Sequence, residues 1–166
     1  MGDSAGGNLA LALAAELRDN SEHQANAIVA LSPITDSRLT NPSIKKNMKK
    51  DFVLQPLTRN FSWLTNFGLG FAAKAVARHN PFDRKVSPLL GDLKNLPPTL
   101  VHVSDSEILF DDSRRYVNKA NDCGSKASLQ VWENMPHVWH IFYPDIPQAN
   151  DAFTEIARFI FQQTKK

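Results

Sequence analysis

The chain has 166 residues, of which 42% are hydrophobic and 22% are charged, so it is long and apolar enough to form one domain with a sizeable core. A net charge of +2 gives no reason to expect nucleic acid as a partner, and no apolar run is long enough to span a membrane. The single cysteine, Cys123, excludes an internal disulfide, and no Cys/His cluster has the spacing of a zinc site. These features favour a globular protein of a reducing, cytoplasmic compartment.

The chain opens on a motif that is typical of a catalytic serine. The segment Gly2-Asp3-Ser4-Ala5-Gly6 matches G-x-S-x-G, the pattern of a nucleophile elbow. In an elbow the serine lies on a crowded turn between a strand and a helix, which requires small flanking residues such as Gly2 and Gly6. Residues 5–17 have the composition of a buried helix that starts at the serine. Only Met1 precedes the motif, so the sequence predicts no strand before it. A serine N-cap after a flexible turn is the structural alternative.

Strand and helix signals alternate along the rest of the chain. Residues 25–31, 99–103 and 127–132 are short apolar runs that predict three buried strands. Residues 111–121, closed by Gly124, and the amphipathic stretch 147–163 predict helices. Strands that alternate with helices favour a parallel sheet with helices on its faces.

The segment between the first two predicted strands has weaker signals. Residues 36–55 are polar and have no clear period, which predicts a loop, and residues 36–80 are interpreted as a mobile or cap-like excursion. Helical signals at 56–67 and 71–79 lie inside this excursion, and a proline-marked loop follows at 81–98. Four lysines in residues 36–55 are expected to form a solvated face rather than a binding patch: Lys45, Lys46, Lys49 and Lys50.

Candidate catalytic residues lie just after the first segment of the chain and just after two of the predicted strands. Ligand sites of parallel sheets lie beyond the carboxyl ends of the strands. Ser4, an acid at Asp105 or Glu107, and His137 all lie there, in the chain order serine, acid, histidine that α/β-hydrolases show. A neutral imidazole can take the serine proton, and a buried carboxylate can orient that imidazole. The N–H of Ala5 can bind the oxyanion of the tetrahedral intermediate.

Four segments together resemble the hormone-sensitive-lipase-like family of α/β-hydrolase esterases: GDSAGGNLA, LSPITD, VSPLLGDLKNLPPTLVHVSDSEILFDDSRRY and MPHVWHIF. The resemblance runs from Gly2 nearly to the C-terminus. It implies that residues 1–166 are the C-terminal part of such a domain, with a partial α/β-hydrolase fold. It also implies hydrolysis of a small carboxylic ester through a serine acyl-enzyme, with no cofactor and no metal. In the family's acid loop, which reads D-P-L-x-D or E-x-L-x-D, Glu107 takes the position of the acid, and His137 takes that of the base.

Several assignments stay open at this point. Asp105 is the alternative acid, while Asp111 and Asp112 are expected to cap a helix. Asn8 is expected to cap or bond locally, and His140 to be packed or solvated. Amidase or peptidase activity fits the same residues as esterase activity.

The family's H-G-G-G-type loop, which supplies oxyanion donors, lies upstream of the elbow and is not among these residues. The resemblance therefore implies a truncated chain with impaired activity, and the alternative function is a non-catalytic binding or structural module. Without a strand before the elbow, one sheet edge would be open and Leu9, Leu13 and Leu17 would be partly exposed. This predicts a dimer or aggregation through that edge.

Overall fold

The computed structural model describes residues 1–55 and 80–165, and within them four parallel strands form one sheet. The strands follow each other in chain order across the sheet: β1 (Gly2–Asp3), β2 (Ile28–Leu31), β3 (Thr99–Ser104) and β4 (Ala127–Trp132). The helices are α1 (Ser4–Asp19), α2 (Pro42–Asn47), α3 (Phe110–Asp122) and α4 (Pro147–Thr164). Single turns of 3₁₀ helix occur at Pro88–Leu90 and Trp139–Phe142. None of the described helices is long and apolar enough to cross a membrane.

The sheet is covered on both faces. Successive side chains of a strand point to opposite faces. On one face, Ile28 and Ala30 of β2 pack with Leu11 of α1 and with residues of α3. On the other face, Val29 packs with Ile156 of α4. A strand that is buried on both faces has a continuous apolar run instead of an alternating pattern, which is why the sequence indicated β2 and β3.

The predicted parallel sheet with helices on its faces is confirmed. The strand at 127–132 has the predicted bounds, β3 extends one residue further than predicted, and β2 begins at Ile28 instead of at residue 25. The predicted helices at 5–17, 111–121 and 147–163 correspond to α1, α3 and α4. Gly124, just beyond α3, has a φ of +86°, which glycine adopts without steric cost.

β1 shows that the prediction of no strand before the elbow was wrong. Gly2 and Asp3 pair in parallel with Ala30 and Leu31. Parallel pairing uses backbone groups, so two residues form a strand although they are too few to show an apolar pattern. β1 covers only the carboxyl half of β2. Leu9 and Leu13 of α1 are exposed, at 66% and 52%. Association through this edge stays a prediction.

The predicted loop at 36–55 was wrong for residues 42–47, which form α2. The N–H of Ser43 donates to the Asp111 carboxylate at 2.9 Å, and its hydroxyl donates to the carbonyl of Ile108 at 2.6 Å. The N–H of Ile108 in turn donates to Asp51 at 3.0 Å. A helix of six residues is too short to show a period, and its anchors are polar, so apolar spacing did not reveal it.

Two further predictions concern the same excursion. The four lysines predicted to form a solvated face are exposed. Residues 56–79, with the helical signals at 56–67 and 71–79, lie outside the described residues. The cap-like interpretation of residues 36–80 stays a prediction.

Candidate active site

Ser4 lies on a strained turn at the carboxyl end of β1. Its φ is +48°, in the left-handed region that residues other than glycine rarely adopt. A Cβ on Gly2 would collide with the carbonyl group of Gly6, and a Cβ on Gly7 would lie 3.0 Å from the side chain of Pro33. A Cβ on Gly6 would meet Asp3 at an ordinary 3.5 Å. Steric crowding at this turn therefore requires a small residue at positions 2 and 7, whereas position 6 has room for a Cβ.

The turns after β1, β3 and β4 bring Ser4, Glu107 and His137 into one hydrogen-bonded row. Nε2 of His137 lies 2.9 Å from Oγ of Ser4, and Nδ1 lies 2.6 Å from Oε2 of Glu107. Glu107 is fully buried, His137 is 6% exposed and Ser4 is partly exposed. A ring Nδ1–H that donates to a carboxylate leaves Nε2 free to accept the serine proton. This arrangement can activate the serine hydroxyl as a nucleophile.

The Glu107 carboxylate is desolvated but well bonded. Its Oε1 accepts hydrogen bonds from the Ser32 hydroxyl and from the N–H of Ser104, both at 2.8 Å. Burial raises the pKa of Glu107, while the bonds from His137, Ser104 and Ser32 act in the opposite direction. These donors hold the carboxylate in one orientation against His137.

Asp105, the alternative acid, has other partners. Its side chain is exposed, and Oδ1 accepts hydrogen bonds from the N–H of Asn134 at 2.9 Å and from the Ser106 hydroxyl at 3.0 Å. It thereby links the turn after β3 to the turn after β4, which leads to His137. Of the two acids that the sequence left open, the structure places Glu107 in contact with His137.

Ala5 and Asn8 lie on α1 beside the elbow. Ala5 is exposed and follows Ser4 directly at the start of the helix. Asn8 does not bond locally, contrary to expectation, because Nδ2 donates to the carbonyls of Ile34 at 2.7 Å and Val86 at 2.9 Å. Asn8 thereby connects α1 to the segments that contain Ile34 and Val86.

Asp111 and Asp112 are in the first turn of α3 but do not cap it. Oδ2 of Asp112 accepts from the N–H groups of Thr35 at 2.8 Å and Asp36 at 3.0 Å, and Asp111 accepts from Ser43. Burial raises the pKa of Asp112 to about 7. Both carboxylates attach the segment after β2 to α3.

A second pair of histidines lies beside the row. His140 is buried, and its Nε2 lies 3.1 Å from Nδ1 of His102 on β3. The His102 ring stacks on Trp139 with their centroids 6.2 Å apart. Burial lowers the pKa of His102 to about 4 and that of His140 to about 3.

Sequence reasoning missed several side chains that hold the acid loop, and two of them bond to Glu107 itself. Ser32 bonds Glu107 directly, and Nδ2 of Asn47 donates to the carbonyls of Asp105 and Glu107, both at 2.8 Å. Ser32 directly follows β2, so the strand-end rule that selected Ser4 and His137 would have selected it too. Asn47 carried no comparable signal. Within residues 1–55 and 80–165, no group of three or more His, Cys, Asp or Glu side chains could hold a metal ion.

Comparison with known proteins agrees with the parallel sheet flanked by helices. A family model described as alpha/beta hydrolase fold matches residues 1–141. The chain belongs to this family. The resemblance to hormone-sensitive-lipase-like esterases and the partial α/β-hydrolase fold are confirmed.

Three α/β-hydrolase relatives illustrate the match. The esterase of Acinetobacter venetianus is 35% identical over 158 residues, which cover 95% of this chain and 50% of that protein. The carboxylesterase/phospholipase LipF of Mycobacterium tuberculosis is 36% identical over 163 residues, covering 98% of this chain and 43% of that protein. The crystal structure of an esterase from the bacterial hormone-sensitive lipase family superposes with a TM-score of 0.85 and 35% identity, over 99% of this chain and 52% of that chain. The chain spans about half the length of the curated relatives it matches.

Proposed function

We propose that this α/β-hydrolase chain carries the catalytic triad of a carboxylic ester hydrolase, with Ser4 as nucleophile, His137 as base and Glu107 as acid. The observation that supports it best is the row of two hydrogen bonds, 2.9 Å from Ser4 to His137 and 2.6 Å from His137 to Glu107. The strained φ of Ser4 is typical of a nucleophile elbow. Relatives named esterases add independent support.

The proposed reaction uses these three side chains in two half-reactions. Oγ of Ser4 bonds to the acyl carbon of the ester while its proton passes to Nε2 of His137. The tetrahedral intermediate then breaks its bond to the alcohol oxygen, which takes the proton from His137. Water then gives a proton to the same imidazole and bonds to the acyl carbon, and the second tetrahedral intermediate breaks its bond to Oγ of Ser4, which takes that proton as the acid leaves. Glu107 stays ionised throughout and stabilises the imidazolium. The proposed chemistry uses no cofactor.

We propose that the 166-residue chain on its own stabilises the oxyanion of the tetrahedral intermediate poorly. The N–H of Ala5 is the donor that the elbow offers, and the loss of one donor from an oxyanion hole costs about 10² to 10³ in rate. We therefore propose that the chain on its own hydrolyses small esters slowly. The triad residues alone do not distinguish esters from amides.

The alternative function, a non-catalytic binding or structural module, makes a different prediction about Ser4. A module needs no reactive serine, so a phosphonate that forms a covalent bond with activated serines would leave it unmodified. An ester hydrolase forms the adduct even when turnover is slow, because the base and the elbow are both present.

The test is to treat the folded chain with a fluorophosphonate and to measure adducts by intact mass. We expect one adduct on Ser4, absent in Ser4→Ala, and slow hydrolysis of p-nitrophenyl acetate that is lost in the same variant. Ser21→Ala is the matched control, since Ser21 is exposed and has a φ of +57°. An unmodified wild-type chain, or an adduct that persists in Ser4→Ala, would contradict the proposal.

A further inference from the structure

Ser32 occupies an unusual backbone position next to the proposed triad. It follows β2, is fully buried and has a φ of +48°. Its N–H donates to the carbonyl of His102 on β3 at 2.7 Å. A serine in this conformation is strained, and it persists because the surrounding strands hold it. The side-chain oxygen is thereby directed across the carboxyl ends of β2 and β3.

The Ser32 hydroxyl contacts the oxygen of Glu107 that does not face His137. Oγ of Ser32 donates to Oε1 at 2.8 Å, and the N–H of Ser104 donates to the same oxygen. Two donors on Oε1 fix the rotation of the carboxylate, so that Oε2 points at His137. Hydrogen bonds to an ionised group are the strong ones, and they matter most where water is absent.

The same hydroxyl also connects to the segment that carries the base. The N–H of Val138, which directly follows His137, lies 3.4 Å from Oγ of Ser32. Val138 has a φ of +53°, in the same left-handed region. A hydroxyl can donate to one group and accept from another, so Ser32 contacts the acid by donating and the base segment by accepting.

We propose that Ser32 is a positioning residue that orients the Glu107 carboxylate and thereby aligns His137 with Ser4. The proposal rests on the proposed function of the triad. Ser32 touches none of the reacting atoms of the ester and acts through Glu107. The orientation of Glu107 depends on the Ser32 hydroxyl and not on the conformation of the backbone turn at Ser32.

The experiment separates the hydroxyl from the backbone turn. Ser32→Ala and Ser32→Gly both remove the hydroxyl, but glycine adopts a φ of +48° without strain. The titration of Glu107 is followed by carboxyl ¹³C NMR, and the bridging proton between Glu107 and His137 by its downfield ¹H resonance. In both variants we expect a higher pKa of Glu107 and a weakened downfield resonance. We expect fluorophosphonate labelling of Ser4 to be slower by about tenfold, the lower range for a hydrogen bond to a charged group.

Ser43→Ala is the matched control. Ser43 is a buried serine that binds the same acid loop through the carbonyl of Ile108 and touches no atom of the triad. It should lower stability while the Glu107 titration stays at its wild-type midpoint.

Wild-type NMR behaviour and labelling in Ser32→Gly would overturn the proposal, because only the backbone conformation would then matter. Equal shifts in Ser43→Ala would also overturn it. If Ser4 is unreactive in the wild-type chain, the proposed function fails, but the NMR titration still tests the contact between Ser32 and Glu107.

Discussion

His137 and His140 lie three residues apart on the segment that follows β4, yet their rings have opposite chemical surroundings. His137 contacts the Glu107 carboxylate and the Ser4 hydroxyl. His140 contacts the ring of His102 and packs against Trp139. Burial does not separate them, because the two are 6% and 3% exposed. What distinguishes a candidate base from a packed histidine is therefore the pair of polar partners.

The physical reason is the cost of a charge in a dry site. Burial disfavours the imidazolium of His102 and His140, and for His102 it outweighs the favourable effects of Gln130 and Glu155. At His137, the buried carboxylate of Glu107 lies 2.6 Å from the ring and can stabilise a positive charge. Four predictions test this contrast.

The largest expected effect is acid unfolding through the His102–His140 pair. Both folded pKa values, about 4 and about 3, lie below the value of about 6.5 in an unfolded chain. The unfolded state therefore binds more protons, and stability that is intact above pH 6.5 is lost as the pH falls. Two such groups remove about 5 kcal/mol between pH 6 and pH 4, comparable with the total stability of a domain. Urea unfolding over this range measures the loss.

His140→Phe is the control for acid unfolding, because phenylalanine keeps an aromatic ring in the cluster and removes one titrating group. The pH dependence of the free energy of unfolding should become clearly shallower. The same slope as in the wild-type chain would show that other groups, such as surface carboxyls, cause the acid instability.

The next effect is on the reactivity of Ser4. His137→Asn removes the base and should slow fluorophosphonate labelling by about 10² to 10⁴, the usual contribution of a general base. His140→Phe should stay within a few-fold of the wild-type rate when the two are compared at pH 8, where the buried pair is neutral. Equal losses in the two variants would mean that His140 also takes part in the activation of Ser4.

A smaller effect concerns Asp112, a buried acid. Its effect on the pH dependence of stability is opposite in sign to that of the histidine pair. Its folded pKa of about 7 lies above the unfolded value, so the folded state keeps a proton that the unfolded state releases. Its contribution to stability is present at low pH and is lost as the pH rises from about 4 to 7. Asp112→Asn has no carboxyl group to titrate and so does not lose this stability. The free energy of unfolding of the variant minus that of the wild type should therefore rise by about 2 kcal/mol from pH 5 to pH 7. Chemical denaturation at both pH values measures it. A difference in the free energy of unfolding between variant and wild type that does not change with pH would contradict the raised pKa of Asp112.

The smallest effect is expected at the acid that does not contact His137. Asp105→Asn keeps one carbonyl oxygen to accept from Asn134, so labelling of Ser4 should change by less than about threefold. Glu107→Gln, the matched variant, removes the charge beside His137 and should slow labelling by about 10² or more. The reverse order of the two rates would make Asp105 the acid.

Much of the fold and the chemistry-bearing positions could be predicted from local patterns. β3, β4, α1, α3 and α4 are long enough for an apolar run or a helical period to appear. β1 and α2 have two and six residues, so no pattern can form in them. Their existence depends on partners elsewhere in the chain, such as Ala30 for β1 and Asp111 for α2.

The sequence by itself determined the parallel sheet, the elbow motif around Ser4 and the positions of Glu107 and His137 after strands, because these follow from short-range patterns and from the topology of parallel strands. Only the tertiary structure decided which acid meets the base, which histidine is isolated among aromatic rings, and which hydroxyl supports Glu107. The contact between Ser32 and Glu107 joins positions 75 residues apart, and that between Ser4 and His137 joins positions 133 apart. Hydrogen bonds act over about 3 Å, so they are set by the packing of the strands and not by residues that are neighbours along the chain.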